Sequence, residues 1–121
     1  LEEYLETKGT VDFHYFDCET FIAAGGQGIL AVEGRIEDRT CELAVRIQNE
    51  EAKTCLILER KILKLLDAGC HEPIGVYSRI RDEQIEVFGI NRRDGETKRV
   101  YLTGGTGELD LLAERAAKGL R

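Results

Sequence analysis

The period of the hydrophobic pattern changes at Pro73, the only proline in the chain. Before it, residues 40–67 carry apolar side chains at helical spacing among Glu, Lys and Arg. After it, apolar residues alternate in three segments, "IGVYSRI", "QIEVFGI" and "KRVYLTG", which is typical of strands. The dipeptide Asp82-Glu83 joins the first two segments, and Asp94-Gly95 between the second and third is a good hairpin turn. The pattern therefore predicts a helical region followed by a three-stranded antiparallel meander.

Polar residues and glycines predict where the helices begin and end. Asn49 or a neighbour is expected to divide residues 40–67 into two helices, and Gly69 is expected to supply the left-handed stop of the second. Thr106 is predicted to cap a last amphipathic helix. The apolar face of that helix consists of Leu109, Leu112, Ala116 and Leu120. This order predicts an α+β fold, a three-stranded antiparallel sheet with helices packed on one face.

A glycine cluster precedes a short apolar run in "FIAAGGQGILAVEGRIED", residues 21–38. The continuous run Ile29 to Val32 is typical of a strand that is buried on both faces. The glycines precede this strand, which is the wrong side for a dinucleotide fingerprint, and "GGTGELD" near the last helix lacks the Lys-Ser/Thr ending of a P-loop. Turns are therefore favoured over phosphate cradles at both places.

Charge and cysteine usage exclude several function classes. The net charge of −6 and the pI near 5.0 argue against a nucleic-acid or anionic-membrane surface, and no apolar run is long enough to span a bilayer. The four cysteines contain no CxxC pair and the two histidines lie far apart, so no metal site is expected. Reduced thiols in a cytoplasmic protein are favoured. The chain opens at Leu1 in the middle of a pattern, so we expect it to be a piece of a longer polypeptide.

Cys70 directly follows the predicted helix stop, and its residue type and spacing leave three interpretations open. It is a buried structural thiol, a nucleophile served by His71, or a covalent attachment point on a glycine-flanked loop. Adjacent residues of an extended segment point in opposite directions, so His71 is poorly placed to act as the base for Cys70. Spacing alone does not decide among the three.

Two motifs resemble a known enzyme family. The segment "ERKILKLLDAGCHEPIG", residues 59–75, is similar to the cofactor-attachment signature of the hydroxymethylbilane synthases, also called porphobilinogen deaminases. Ala68 and Glu72 depart from the usual residues of that signature. Upstream, "GGQGILAVEGR" resembles the family's Gly-Gln-Gly strand at the end of a domain-crossing hinge. The resemblance covers about residues 15–120 and includes the strand–strand–strand–helix order.

The resemblance implies a function for the longer polypeptide. In this family the cysteine at the position of Cys70 forms a thioether to a dipyrromethane primer, and Gln27 becomes a weaker candidate for a residue that lines the cofactor cleft. The enzymes join four porphobilinogen units into hydroxymethylbilane and release ammonia. Their catalytic aspartate and carboxylate-binding arginines lie in two N-terminal domains, so no catalytic residue is expected in this chain and the fragment alone should be inactive. The arginines of the strands and hairpins are expected to be solvated: Arg79, Arg81, Arg92 and Arg93.

The same resemblance predicts the domain organisation. Residues 1–38 would be a hinge and crossover-strand remnant, and residues 39–121 the C-terminal domain that anchors the dipyrromethane. The alternative is a non-catalytic interaction module that shares the fold. It is distinguished by whether the gene continues upstream with two α/β domains. Without those domains, residues 21–36 would be held by a second copy in a homodimer or would fold back onto their own domain.

Overall fold

The computed structural model describes residues 14–35, 39–68, 72–93 and 95–121. In these ranges the helices are α1 (Arg39–Arg46), α2 (Glu50–Leu65) and α3 (Leu109–Leu120). The strands are β1 (Ile74–Arg81), β2 (Gln84–Arg93) and β3 (Glu96–Gly105). No helix in the described part of the chain is both long and apolar enough to cross a membrane.

The three strands form one antiparallel sheet in the order β1-β2-β3. Arg81 pairs with Gln84 and Arg93 pairs with Glu96, so both connections are two-residue hairpin turns. Asp82 and Glu83 have φ angles of 51° and 64°, as a type I′ turn requires at both central positions. The meander and its first turn are therefore confirmed, and Asp94 of the second turn lies outside the described residues.

Helices α2 and α3 pack on the same face of the sheet and against each other, with α2 on β1 and α3 on β2 and β3. The alternation of the strands directs one set of apolar side chains toward these helices. The fully buried core consists of Leu58, Ile62, Val76, Ile85, Val87, Leu112, Ala113, Ala116 and Leu120. The structure confirms the α+β fold with helices on one face of the sheet.

The boundary between α1 and α2 is confirmed, but the predicted stop of α2 is wrong. Asn49 is the N-cap, and its side chain accepts a hydrogen bond from the Ala52 amide at 2.9 Å. At the other end Asp67 takes the left-handed conformation, with φ of 53°. The Ala68 amide donates to the Leu63 carbonyl at 3.0 Å and the Asp67 amide to the Lys64 carbonyl at 3.1 Å, which is a Schellman motif. The left-handed stop is therefore Asp67, two residues before Gly69, and Gly69 lies outside the described residues.

The predicted cap of α3 at Thr106 is also wrong. Glu108 occupies the N-cap position, and Thr106 lies in the turn two residues earlier. The Glu108 carboxylate accepts a hydrogen bond from the Gly105 amide at 2.9 Å, while the Leu112 amide donates to the Glu108 carbonyl at 3.0 Å. A carboxylate that reaches back to the end of β3 closes this turn in place of a hydroxyl cap.

The strand predicted for the run Ile29 to Val32 does not form. Residues 29–35 belong to no strand, and Leu30 and Val32 are 95% and 65% exposed. A strand needs a neighbour for its N–H and C=O groups, and β1 pairs with β2 and not with this run. Residues just before it do lie on their own domain, since the Val76 amide donates to the Ala23 carbonyl at 2.9 Å. That contact agrees with the alternative in which residues 21–36 fold back onto their own domain, and the homodimer stays a prediction.

Candidate functional site

The loop that carries Cys70 connects the C-terminal end of α2 to the start of β1. Cys70 lies outside the described residues, as do Gly69 and His71, so its location follows from the residues on either side. The Schellman motif fixes the entry of the loop at Ala68. Its exit is held where the Arg92 amide of β2 donates to the Pro73 carbonyl at 3.1 Å. The sequence thus places a thiol between two well-anchored ends.

The described flanks of this loop face solvent. Asp67, Glu72 and Pro73 are exposed, while Ala68 is partly buried. Both charged residues at the described flanks, Asp67 and Glu72, are acidic. The described ends of the loop are therefore open to solvent.

Gln27, the second predicted site residue, lies in an exposed glycine turn. Its amide donates to the Ala24 carbonyl at 3.1 Å, and its neighbours Gly26 and Gly28 have φ angles of 78° and 83°. Positive φ at two positions explains why glycine brackets Gln27. The turn leaves the Gln27 side chain exposed and free of core packing.

Glu59 is the residue of this region that the sequence reasoning missed. It lies on the buried face of α2 and is 4% exposed. Its Oε2 accepts a hydrogen bond from the Gly26 amide at 2.7 Å. Its Oε1 accepts from the Ser78 amide at 2.7 Å and from the Ser78 hydroxyl at 2.9 Å. The carboxylate therefore joins three segments: the glycine turn, α2 and β1.

A signal for Glu59 was present in the sequence. It falls on the helical stripe formed by Cys55, Leu58 and Ile62, which are all buried. A glutamate inside an apolar stripe is unusual because burial of a carboxylate is costly unless donors surround it. Glu59 is also the first residue of the signature segment, but neither clue says which donors it meets.

The opposite face of the sheet carries a polar and aromatic cluster. Arg79 donates to the Glu86 carboxylate and to Glu19 at 3.2 Å, and its guanidinium lies 5.1 Å from the centre of the Phe88 ring. The Tyr101 hydroxyl donates to the second oxygen of Glu86 at 2.9 Å. These two hydrogen bonds, that of Arg79 first, lower the pKa of Glu86, and the bond to Glu86 raises the pKa of both Arg79 and Tyr101.

This cluster corrects one expectation and supports others. Arg79 is not simply solvated, because it is paired with two carboxylates and its side chain is 25% exposed. Arg81 and Arg92 are exposed, as expected for hairpin arginines. Arg99 donates to the carbonyls of Glu19 and Thr20 at 3.3 and 3.1 Å, so the cluster holds the segment that leads into the glycine turn.

The fold and this loop define a class: a small α+β domain that presents a cysteine between a helix and an edge strand. Comparison with known proteins makes the class specific, since residues 53–119 match the family model of the porphobilinogen deaminase C-terminal domain. The chain belongs to this family. The matched region includes most of α2, the Cys70 loop, the whole sheet and most of α3.

Curated relatives agree with the family match. A porphobilinogen deaminase of Alkaliphilus metalliredigens is 39% identical over 77 residues, which are 63% of this chain and 24% of the relative. One of Clostridium acetobutylicum is 31% identical over 104 residues, 86% of this chain and 36% of the relative. One of Clostridium botulinum is 32% identical over 98 residues, 81% and 34% respectively. The chain thus spans between a quarter and just over a third of the length of these relatives.

Proposed function

We propose that this chain is the cofactor-anchoring part of a hydroxymethylbilane synthase, with Cys70 as the attachment point of a dipyrromethane. The proposal rests on the family match, which covers the loop that carries Cys70. The longer protein would use porphobilinogen as its substrate in tetrapyrrole biosynthesis. The proposal places it in the cytoplasm, where thiols such as those of Cys18, Cys41 and Cys55 stay reduced.

The described residues fit a group of this kind. A dipyrromethane is bulky and carries carboxylate side chains, and the exposed flanks of the loop leave space for it. When bound, it supplies the primer to which porphobilinogen units are added. In this chain the two described ends of the loop are anchored by hydrogen bonds. The acidic flanks Asp67 and Glu72 offer no charge partner for the pyrrole carboxylates. Those partners would come from other parts of the longer protein.

The decisive experiment replaces the proposed anchor in the longer protein. Cys70→Ser should abolish the mass increment of the dipyrromethane and reduce porphobilinogen consumption to background, because a hydroxyl is a far weaker nucleophile than a thiolate. Cys18→Ser is the matched control, since Cys18 is an exposed free thiol. It should keep both the increment and the activity. A Cys70→Ser protein that still carries the primer would overturn the proposal.

The 121-residue chain alone should behave differently. We expect Cys70 to carry a free thiol there, because primer assembly would need groups from the rest of the protein. Intact mass measurement checks this, and a porphobilinogen assay checks the accompanying expectation of no turnover. An increment that matches dipyrromethane, or measurable turnover, would show that the chain suffices by itself.

A further inference from the structure

Glu59 connects the glycine turn to the helix that leads into the Cys70 loop. We propose that Glu59 is a positioning residue, whose carboxylate holds the Gly25–Gly28 turn, and with it Gln27, in fixed register with α2. This inference rests on the proposed function, because it assigns Gln27 and Cys70 to one cofactor cleft. It adds a residue that the attachment chemistry does not itself require.

The two oxygens of the Glu59 carboxylate accept hydrogen bonds from two different segments of the chain. One oxygen faces the Gly26 amide at 2.7 Å, and the other faces the amide and hydroxyl of Ser78. No ion pair joins Glu59 to a cation among the residues that the structure describes. A buried carboxylate without a cation depends on its hydrogen-bond donors. These three donors therefore hold the carboxylate in place.

The backbone of the turn is shaped to reach this carboxylate. A Cβ atom on Gly25 would lie 2.7 Å from Leu63 Cδ1, and one on Gly26 would lie 3.0 Å from Leu56 Cδ1. Gly26 also needs its positive φ of 78° to present the amide. The turn thus lies directly on α2, and two successive glycines permit this approach.

The contact holds Gln27 next to the helix that leads to the Cys70 loop. Gln27 directly follows Gly26, and the loop of Cys70 begins where α2 ends at Leu65. Six residues of helix separate Glu59 from Leu65, a rise of about 9 Å along a rigid element. If the turn detached from Glu59, Gln27 would no longer be held relative to the loop.

Glu59→Gln tests the contact without any need for activity. Glutamine has the same size, but one of its terminal atoms is an NH₂ group that donates and does not accept. Ser78 offers two donors and Gly26 one, so the amide oxygen should stay with Ser78. Hydrogen exchange of the Gly26 amide in the 121-residue chain should accelerate about tenfold or more. The Ser78 amide should stay protected.

Glu114→Gln is the matched control, because it makes the same chemical change at an exposed position on α3. It should leave the exchange of Gly26 unchanged. If Glu59→Gln does not fold, the wild-type chain decides: the Gly26 amide should exchange about tenfold more slowly than that of the exposed turn residue Gly107, after correction for intrinsic rates. Equal rates, or unchanged exchange in a folded Glu59→Gln, would overturn the inference.

A second arm measures positioning in the longer protein. Glu59→Gln should keep the full mass increment on Cys70 and a nearly unchanged KM for porphobilinogen, while kcat falls roughly tenfold to a hundredfold. Wild-type kcat in this variant would overturn the positioning role. A wild-type protein that carries no primer and has no activity would instead overturn the proposed function and the positioning role that rests on it. The hydrogen-exchange experiment would then still decide whether Glu59 holds the turn.

Discussion

At the scale of single residues, three non-glycine positions in the described part of the chain hold the left-handed backbone conformation: Asp67, Asp82 and Glu83. Asp67 ends α2, and the other two form the turn between β1 and β2. Aspartate tolerates this conformation because its short side chain bonds locally, whereas glutamate has no such compensation. Glu83 is therefore the most strained position of the β1–β2 hairpin.

Replacement of Glu83 by glycine should stabilise the chain. An Asp-Gly pair is preferred in a type I′ turn, and the relief of strain exceeds the entropic cost of the glycine by about 0.5–1 kcal/mol. Thermal unfolding of Glu83→Gly should show a higher Tm. The control Glu83→Ala removes the same carboxylate but keeps Cβ, so it should give no gain; a rise of equal size in both variants would contradict the backbone explanation.

Cys55 should be the least reactive of the described thiols. Its burial raises the pKa, the nearby charges of Glu59 and Glu51 raise it further, and a hydrogen bond with Ser78 lowers it in part. Alkylation needs the thiolate, so labelling of Cys55 near pH 8 should be about tenfold or more slower than that of the exposed Cys18. Peptide mapping after a short iodoacetamide pulse measures both.

Two further conditions check this reactivity. In urea the two cysteines should label at similar rates, because unfolding removes the burial of Cys55. The raised pKa in the folded state also means that Cys55 contributes stability below its unfolded pKa, which is lost as the pH rises through the folded value. Equal labelling in the native chain would show that the thiol opens readily to solvent.

At the scale of elements, the hydrophobic periodicity of the sequence correctly predicted the helices and the three strands of the sheet. The change of period at Pro73 gave α2 and all three strands, since the side chains that face the helices recur at the period of each element. Helix ends were harder, because a cap depends on which group reaches the free backbone atoms. Asp67 and Glu108 took the roles expected of Gly69 and Thr106.

Two features could not be predicted from local sequence: the absence of a strand at Ile29 to Val32 and the hydrogen-bond partners of Glu59. The run Ile29 to Val32 has strand character, but a strand forms only where a neighbour accepts its hydrogen bonds. Glu59 is visible as a misplaced charge, yet its partners Gly26 and Ser78 are 33 and 19 residues away in the chain. Cys70 was found through its motif, and its role stays a proposal.

Gly75 in β1 is a position at which we expect the packing between elements to be highly sensitive to an added methyl group. A Cβ atom there would lie 2.5 Å from the Ile22 carbonyl oxygen and 2.9 Å from Ile90 Cγ2. Gly75→Ala should therefore push residues 22–23 away from β1 and cost about 1–3 kcal/mol of unfolding free energy in urea titrations. Gly107→Ala is the control, since no atom lies within 4 Å of its added Cβ. Equal stability of the two variants would show that the segment does not lie against β1.

At the scale of the whole molecule, the two faces of the sheet contact different parts of the chain. One face is closed by α2 and α3. On the other face the Arg79 cluster and Arg99 hold residues 19 and 20, from which the chain continues past the edge of β1 to Glu59. The chain therefore wraps from the back of the sheet to the helical side before it reaches residues 29–35.

An open groove of about 910 Å³ lies beside the segment that follows the contact with Glu59. It is lined by residues 28–34, α1 and the start of α2. Large apolar side chains around it are exposed: Leu30 95%, Val32 65%, Val45 66% and Ile47 74%. An exposed group of this kind marks a surface that is covered by another body. In the isolated 121-residue chain a second copy is the available cover, and the homodimer stays a prediction.

Self-association of the isolated chain should therefore depend on Leu30. Burial of a leucine side chain contributes about 1.5–3 kcal/mol, so a charge at Leu30 in each copy should shift the equilibrium strongly to the monomer. Light scattering across a concentration series should show a dimer for the wild-type chain at high micromolar concentration and a monomer for Leu30→Glu. Leu111→Glu is the matched control, because Leu111 is half exposed on α3, away from the groove, and it should still dimerise. A wild-type chain that stays strictly monomeric at that concentration would rule the dimer out, and loss of the dimer in both variants would show that added charge alone disperses it.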